Sequence, residues 1–108
     1  AEQIIENQSA DIFVIKPMIT GSLSESLAII KLGKENNIES VITTTLGTEI
    51  ERQACIHLAF AGGIKLSCGF STNSLLETDI ISNPIQKSII NKPTRPGLNI
   101  NPEKIPYQ

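Results

Sequence analysis

Apolar and polar positions along this chain fall into blocks whose period switches between that of a helix and that of a strand. Ile4 and Ile5, flanked by Glu2, Gln3, Glu6 and Asn7, read as the last turns of an amphipathic helix. Ile12-Phe-Val-Ile15 follows as an unbroken apolar run with no polar face, which predicts a parallel strand covered on both sides. Lys16 ends that strand, because Pro17 lacks an N–H and disfavours helix at the residue before it. Ser22 and Glu25 have capping-box spacing, so a helix starts near Ser22, with Leu23, Leu27 and Ile30 as its buried stripe. Lys31 and Lys34 suit the C-terminal end of its dipole, and Asn36-Asn37 closes it.

Ser40-Val-Ile-Thr-Thr-Thr45 is a second strand, rich in β-branched residues and broken by Leu46-Gly47. Thr48 and Glu51 form a second capping box, and Ile50, Ala54, Leu58 and Ala61 give the next helix its stripe before Gly62-Gly63 ends it. Ile64 to Cys68 reads as a third strand with a turn at Gly69, and Ser74 to Ile81 as one more short helix. From Ser82 the pattern changes. Five of the six prolines lie between Pro84 and Pro106, together with the turn signal Arg95-Pro-Gly-Leu98. Residues 1–81 are thus an α/β unit, and residues 82–108 a C-terminal tail of short extended segments.

Strands at roughly 25-residue spacing, separated by helices, give a βα rhythm. It fits either an open doubly wound sheet or part of a (β/α)8 barrel, and periodicity does not separate them. Parallel sheets need cover on both faces and pairing at both edges, and this unit is short of both. A chain that opens without Met, inside a helix, is expected to be a piece of a longer protein. By itself it should be marginal, or self-associate through its open sheet edges.

Composition narrows the partners. A formal charge of −2, no Trp and only Phe and Tyr at 4% leave neither a basic footprint nor a stacking platform for nucleic acid. No apolar run approaches the roughly 18 residues of a membrane span, and no secretory signal opens the chain. Two cysteines make no disulfide framework, so a cytoplasmic setting is expected.

Lys16, at a strand's C-terminal end, stands where parallel α/β folds collect their chemistry. Against an apolar wall it serves as a base, stabilises a developing anion or lies on a π-system; in open water it is a snorkelling strand cap. Thr43, Thr44 and Thr45 end the second strand, where their hydroxyls and the free N–H groups of the following helix suit a carboxylate; β-propensity explains them equally. Gly69-Phe-Ser-Thr72 either admits a ligand to the backbone or is an ordinary turn. His57, Cys55 and Cys68 read as structural, the cysteines as small buried hydrophobes, and Glu49 and Glu51 as answers to a helix dipole. No acidic residues sit on successive strand ends, so no metal site is expected within the chain.

Val14-Ile-Lys-Pro-Met-Ile-Thr-Gly-Ser-Leu23 resembles the late barrel strands of the enolase superfamily, most closely its o-succinylbenzoate synthase family. Val41-Ile-Thr-Thr-Thr-Leu46 is similar to that family's hydroxyl-rich strand end, usually Ser-Ser-Ser, an apolar residue and Glu. Gly69-Phe-Ser-Thr72 with Asp79, and Arg95-Pro-Gly-Leu-Asn-Ile100, match two later segments. One departure is Gly47, where an acidic residue is usual. The resemblance implies about three βα units from the C-terminal part of a (β/α)7β TIM-like barrel, with a tail returning toward a capping domain. It implies a Mg2+-dependent syn-dehydration of 2-succinyl-6-hydroxy-2,4-cyclohexadiene-1-carboxylate to o-succinylbenzoate, in menaquinone biosynthesis, by a protein of which this chain is an inactive part. Mg2+, its acidic ligands and a first lysine would lie on earlier strands. Lys16 would stabilise the anionic intermediate as a cation–π partner; Thr43 and Thr44 would help hold the small-molecule carboxylate substrate, and Leu46 and Gly69 would line its pocket. Other superfamily activities remain open (N-acylamino acid racemase, dipeptide epimerase, muconate cycloisomerase). So does a non-catalytic α/β module that binds a partner through its sheet edge.

Overall fold

The computed structural model describes residues 1–72, 89–98 and 103. Its elements run α1 (Glu2–Glu6), β1 (Ile12–Ile15), α2 (Pro17–Thr20), α3 (Leu23–Glu35), β2 (Glu39–Ile42) and α4 (Glu49–Ala61). β1 and β2 pair in parallel with Ile12 opposite Glu39 and Ile15 opposite Ile42, so α3 is the crossover of a βαβ unit. The expected helix over residues 74–81, and most of the tail, lie outside the described residues.

The start of α3 and the ends of α3 and α4 have identifiable chemistry. Ser22 caps α3: its Oγ accepts from the Glu25 N–H at 3.0 Å. At the other end Asn37 takes a left-handed conformation, and the N–H groups of Ile38 and Asn37 donate to the carbonyls of Gly33 and Lys34. α4 ends the same way through Gly63, with Ile64 N–H on Ala59 O and Gly63 N–H on Phe60 O. Lys34 Nζ donates to the Gly62 carbonyl at 2.6 Å, tying the ends of the two helices together.

The sheet is covered on one face only among the described residues, which corrects the expectation of a strand buried on both sides. Phe13, Ile15 and Ile42 join Ile30, Ile38, Cys55, Ile56, Leu58 and Phe70 in the core beneath α3 and α4. Fully buried Ile30 and Ile42 contribute about 1.5–3 kcal/mol each by the area they remove from water. Ile12 and Val14, on the other face, remain 48% and 66% exposed, because no described element lies over them.

The apolar stripes hold in part, since Ile30 and Leu58 are buried and Leu27 packs against the core, but each helix also turns residues inward that no stripe predicts. In α3 the inward line is Ser26, Ile30 and Gly33, while Leu23 is exposed. Burying Ser26 costs little, since its hydroxyl donates to Ser22 O at 2.8 Å and meets the Thr20 hydroxyl at 2.7 Å. In α4 Ile50 and Ala61 face outward, and Glu49, Glu51, Arg52, Cys55, Ile56 and Leu58 face inward. Glu49 and Arg52, both buried, form an ion pair within the first turn, and Gln53 Nε2 donates to Glu49 Oε1 at 2.6 Å. Charges buried in this way need partners, and no apolar periodicity reports them.

The third predicted strand over residues 64–68 does not form. That segment is irregular, Lys65 to Ser67 are exposed, and pairing is reduced to a single parallel bridge between Thr43 and Gly69. Without a layer over Leu66, which is 38% exposed, the segment gains too little burial to be held extended.

Candidate functional site

The strand ends meet at one level. The register carried one residue past Ile15 and Ile42 sets Lys16 beside Thr43, whose N–H donates to Ile15 O at 3.0 Å. Thr43 in turn is bridged to Gly69: Gly69 N–H donates to Ile42 O and Thr44 N–H to Gly69 O, both at 2.9 Å. Lys16, Thr43 and Gly69 therefore form one row across the C-terminal edge of the sheet.

Lys16 is held by its backbone rather than by its side chain. Its extended conformation, φ −113° and ψ 102°, continues the strand's alternation and sends the side chain to the uncovered face of Ile12 and Val14. Its carbonyl accepts from the N–H groups of Ile19 and Thr20 and from Thr20 Oγ1, so the short helix α2 pins it from behind. Apolar periodicity does not report this extra turn, although Pro17 stands at its first position. The ammonium has no hydrogen-bond or ion-pair partner among the described residues, and Lys16 is exposed at the edge of an open groove lined by Ile12, Val14 and Ile19.

An open depression of about 560 Å³ lies beside it, lined by Lys16, Thr44, Thr45, Leu46, Gly47 and Thr72. Of the residues expected at a site, the depression gathers Lys16, Thr44 and Leu46. Thr43 and Gly69 stand next to it in the row of strand ends and do not line it. Leu46 is 63% exposed and Thr44 is buried beneath.

The threonine hydroxyls are engaged with the protein. Thr43 Oγ1 donates to Thr44 O at 3.3 Å, Thr44 Oγ1 donates to Gly69 O at 3.2 Å and meets Thr72 Oγ1 at 2.8 Å, and Thr45 Oγ1 donates to the Glu51 carboxylate at 2.9 Å. Gly69 comes close to Thr43: a Cβ there would lie 2.9 Å from Thr43 Oγ1, so a side chain would displace that hydroxyl.

Glu51 is the residue that pattern reading missed. The predicted capping box does not form: Thr48 stands at the N-cap without a side-chain bond, and Glu51 reaches past it to Thr45. Its Oε1 accepts from the Thr45 N–H at 2.7 Å as well as from the hydroxyl. A Glu three residues after a Thr carries the capping signature whichever partner it takes, so spacing alone did not distinguish the two outcomes.

Among the described residues, the acidic groups at the strand ends and in the first turn of α4 make no cluster for a divalent cation. Asp11 and Glu39 sit at the opposite end of the strands from Lys16, Glu49 is committed to Arg52 and Gln53, and Glu51 to Thr45. No group of three or more potential ligands gathers among the described residues. Cys55, 1% exposed, matches its expected role as a buried hydrophobe: burial pushes its thiol up to about 12, reinforced by Glu51 and by Cys68. Burial raises the half-exposed Cys68 as well, against a lowering contact with the Ile42 backbone. His57 Nε2 is buried without a partner among the described residues, and nothing in them explains it.

No helix among the described residues is long and apolar enough to cross a membrane. Residues 1–104 match the family model described as enolase C-terminal domain-like. No curated protein and no solved structure gave a significant match.

Proposed function

The chain belongs to the enolase C-terminal domain-like family, and from that premise we propose that it supplies the late strand ends of an o-succinylbenzoate synthase-like lyase. The observation that carries this reading is Lys16, without a partner among the described residues, on the open face at the C-terminal end of β1 and level with Thr43 and Gly69. About three βα units of a (β/α)7β barrel, completed by the rest of the barrel and a capping domain, would turn that open face into the wall of a cavity. The reaction is the syn-dehydration of 2-succinyl-6-hydroxy-2,4-cyclohexadiene-1-carboxylate. Lys16 holds its ammonium over the substrate ring, where charge and cation–π attraction stabilise the anion left by proton removal. Thr44 and Leu46 bound the substrate beside it. In this reading Mg2+ and its acidic ligands belong to earlier strands, outside this chain.

Lys16→Ala in the full-length protein tests it. Dehydration should fall by about a hundred- to a thousandfold, the scale of losing a charge-stabilising group, with little change in Tm. Turnover within a few-fold of wild type would sink the assignment.

A second reading has an observation of its own. With its hydroxyl proton given to the Glu51 carboxylate, Thr45, which lines the depression, offers a ligand lone pairs rather than an O–H donor. That polarity suits the N–H of an N-acyl amino acid or dipeptide better than a carboxylate. Racemisation of such substrates without dehydratase activity would favour it, with Lys16 exchanging the α-proton.

A further inference from the structure

We propose that Glu51 is a positioning residue of this site, holding the loop after β2 in the shape that presents Thr44, Thr45 and Leu46. The proposal rests on the reading of the Lys16 depression as a substrate site, and its test separates the two. Glu51 lies in the first turn of α4, where the dipole alone would explain an exposed acid. It is instead 7% exposed and aimed backward at a single residue. Three contacts join them: Thr45 N–H to Oε1 at 2.7 Å, and Thr45 Oγ1 to both carboxylate oxygens at 2.9 Å. Hydrogen bonds to an ionised acceptor are stronger than neutral ones, and a backbone N–H among them fixes the main chain as well as the side chain.

Gly47 provides the independent observation. A Cβ at this position would lie 2.8 Å from both Cβ and Cδ of Glu51 and would collide with Oε2. The carboxylate therefore occupies the volume that a side chain at residue 47 would fill. Both Thr45 and Gly47 line the depression, and Leu46 between them projects into solvent. A loop of this length, closed on itself by one buried acid, keeps Leu46 outward and Thr44 seated on Gly69 and Thr72. Thr48, left without a side-chain bond, shows that α4 gives up a conventional cap to make this closure.

The test uses the full-length protein carrying this chain, with kinetics on the dehydratase substrate and exchange of the Thr45 amide followed by NMR. Glu51→Ala should raise KM about tenfold or more while kcat falls less, and the Thr45 amide should lose protection. Glu51→Gln keeps an acceptor oxygen and should restore KM to within about threefold of wild type. Gly47→Ala, which leaves Glu51 in place but intrudes on its carboxylate, should reproduce the KM change and decides the matter if Glu51→Ala does not fold. Wild-type KM and an unaltered Thr45 amide in these variants would overturn the proposal, as would equal losses in Ala and Gln variants that track Tm alone. If the wild-type protein dehydrates nothing, the lyase reading falls, and exchange at Thr45 still decides the role of Glu51.

Discussion

Single side chains in this protein are set by what surrounds them more than by what precedes them in the chain. Cys55 and Cys68 look alike in the sequence, yet one is sealed in the core and the other is half-exposed on an irregular segment. Burial raises the Cys55 thiol from 9.0 to about 12, so the folded state holds that proton more tightly than the unfolded chain. Unfolding then releases a proton, and the contribution of Cys55 to stability is intact below pH 9 and is lost as pH rises toward 12. The expected result is that iodoacetamide at pH 8 leaves Cys55 unlabelled in the folded protein and modifies it after denaturation, as read by peptide mass spectrometry. Rapid native labelling of Cys55 would contradict the buried position.

At the scale of elements, sequence pattern found the two paired strands and the two long helices, and read the faces of those helices only in part. The Ser22 cap, the Asn36-Asn37 stop and the two paired strands were legible because they depend on neighbours a few residues away. The buried line of α3 was not, since Ser26 goes inside only with Ser22 and Thr20 to satisfy it. α4 is the clearer case. A periodicity count expects Ile50 inward and Arg52 outward, whereas the structure buries Glu49 and Arg52 as a pair and leaves Ile50 39% exposed. The strand ends were legible as a row of candidate residues, because strand spacing fixes their level. Their hydrogen bonding was not, because Glu51 and Thr72 reach them through space. Removing one half of a buried pair leaves the other charge uncompensated. Arg52→Leu should therefore cost about 3–5 kcal/mol in chemical denaturation, more than Ile50→Ala on the same helix. Equal losses would mean that the pair is not the support of this helix's first turn.

For the molecule as a whole, the decisive feature is a sheet with one face uncovered among the described residues. Ile12, Val14, Met18 and Ile19 are 48%, 66%, 66% and 73% exposed, around the free edge of β1. Apolar surface of this kind, beside unpaired strand N–H and C=O groups, invites association. Expressed as these residues alone, the chain should sediment as concentration-dependent oligomers, and Val14→Lys should shift it toward monomer. A monomer at all concentrations would show that the exposed face is tolerated in water. Assembly of such a sheet also raises a problem of alignment, since sliding a strand by one residue exchanges the residues of its two faces. The single bridge at Gly69 carries an answer. Opposite Thr43 a side chain at residue 69 would crowd the Thr43 hydroxyl, so a slip that brings Cys68 or Phe70 there requires that hydroxyl to move. Here an absent side chain works as an alignment mark, written into the chain by the residue type that fits without a shift.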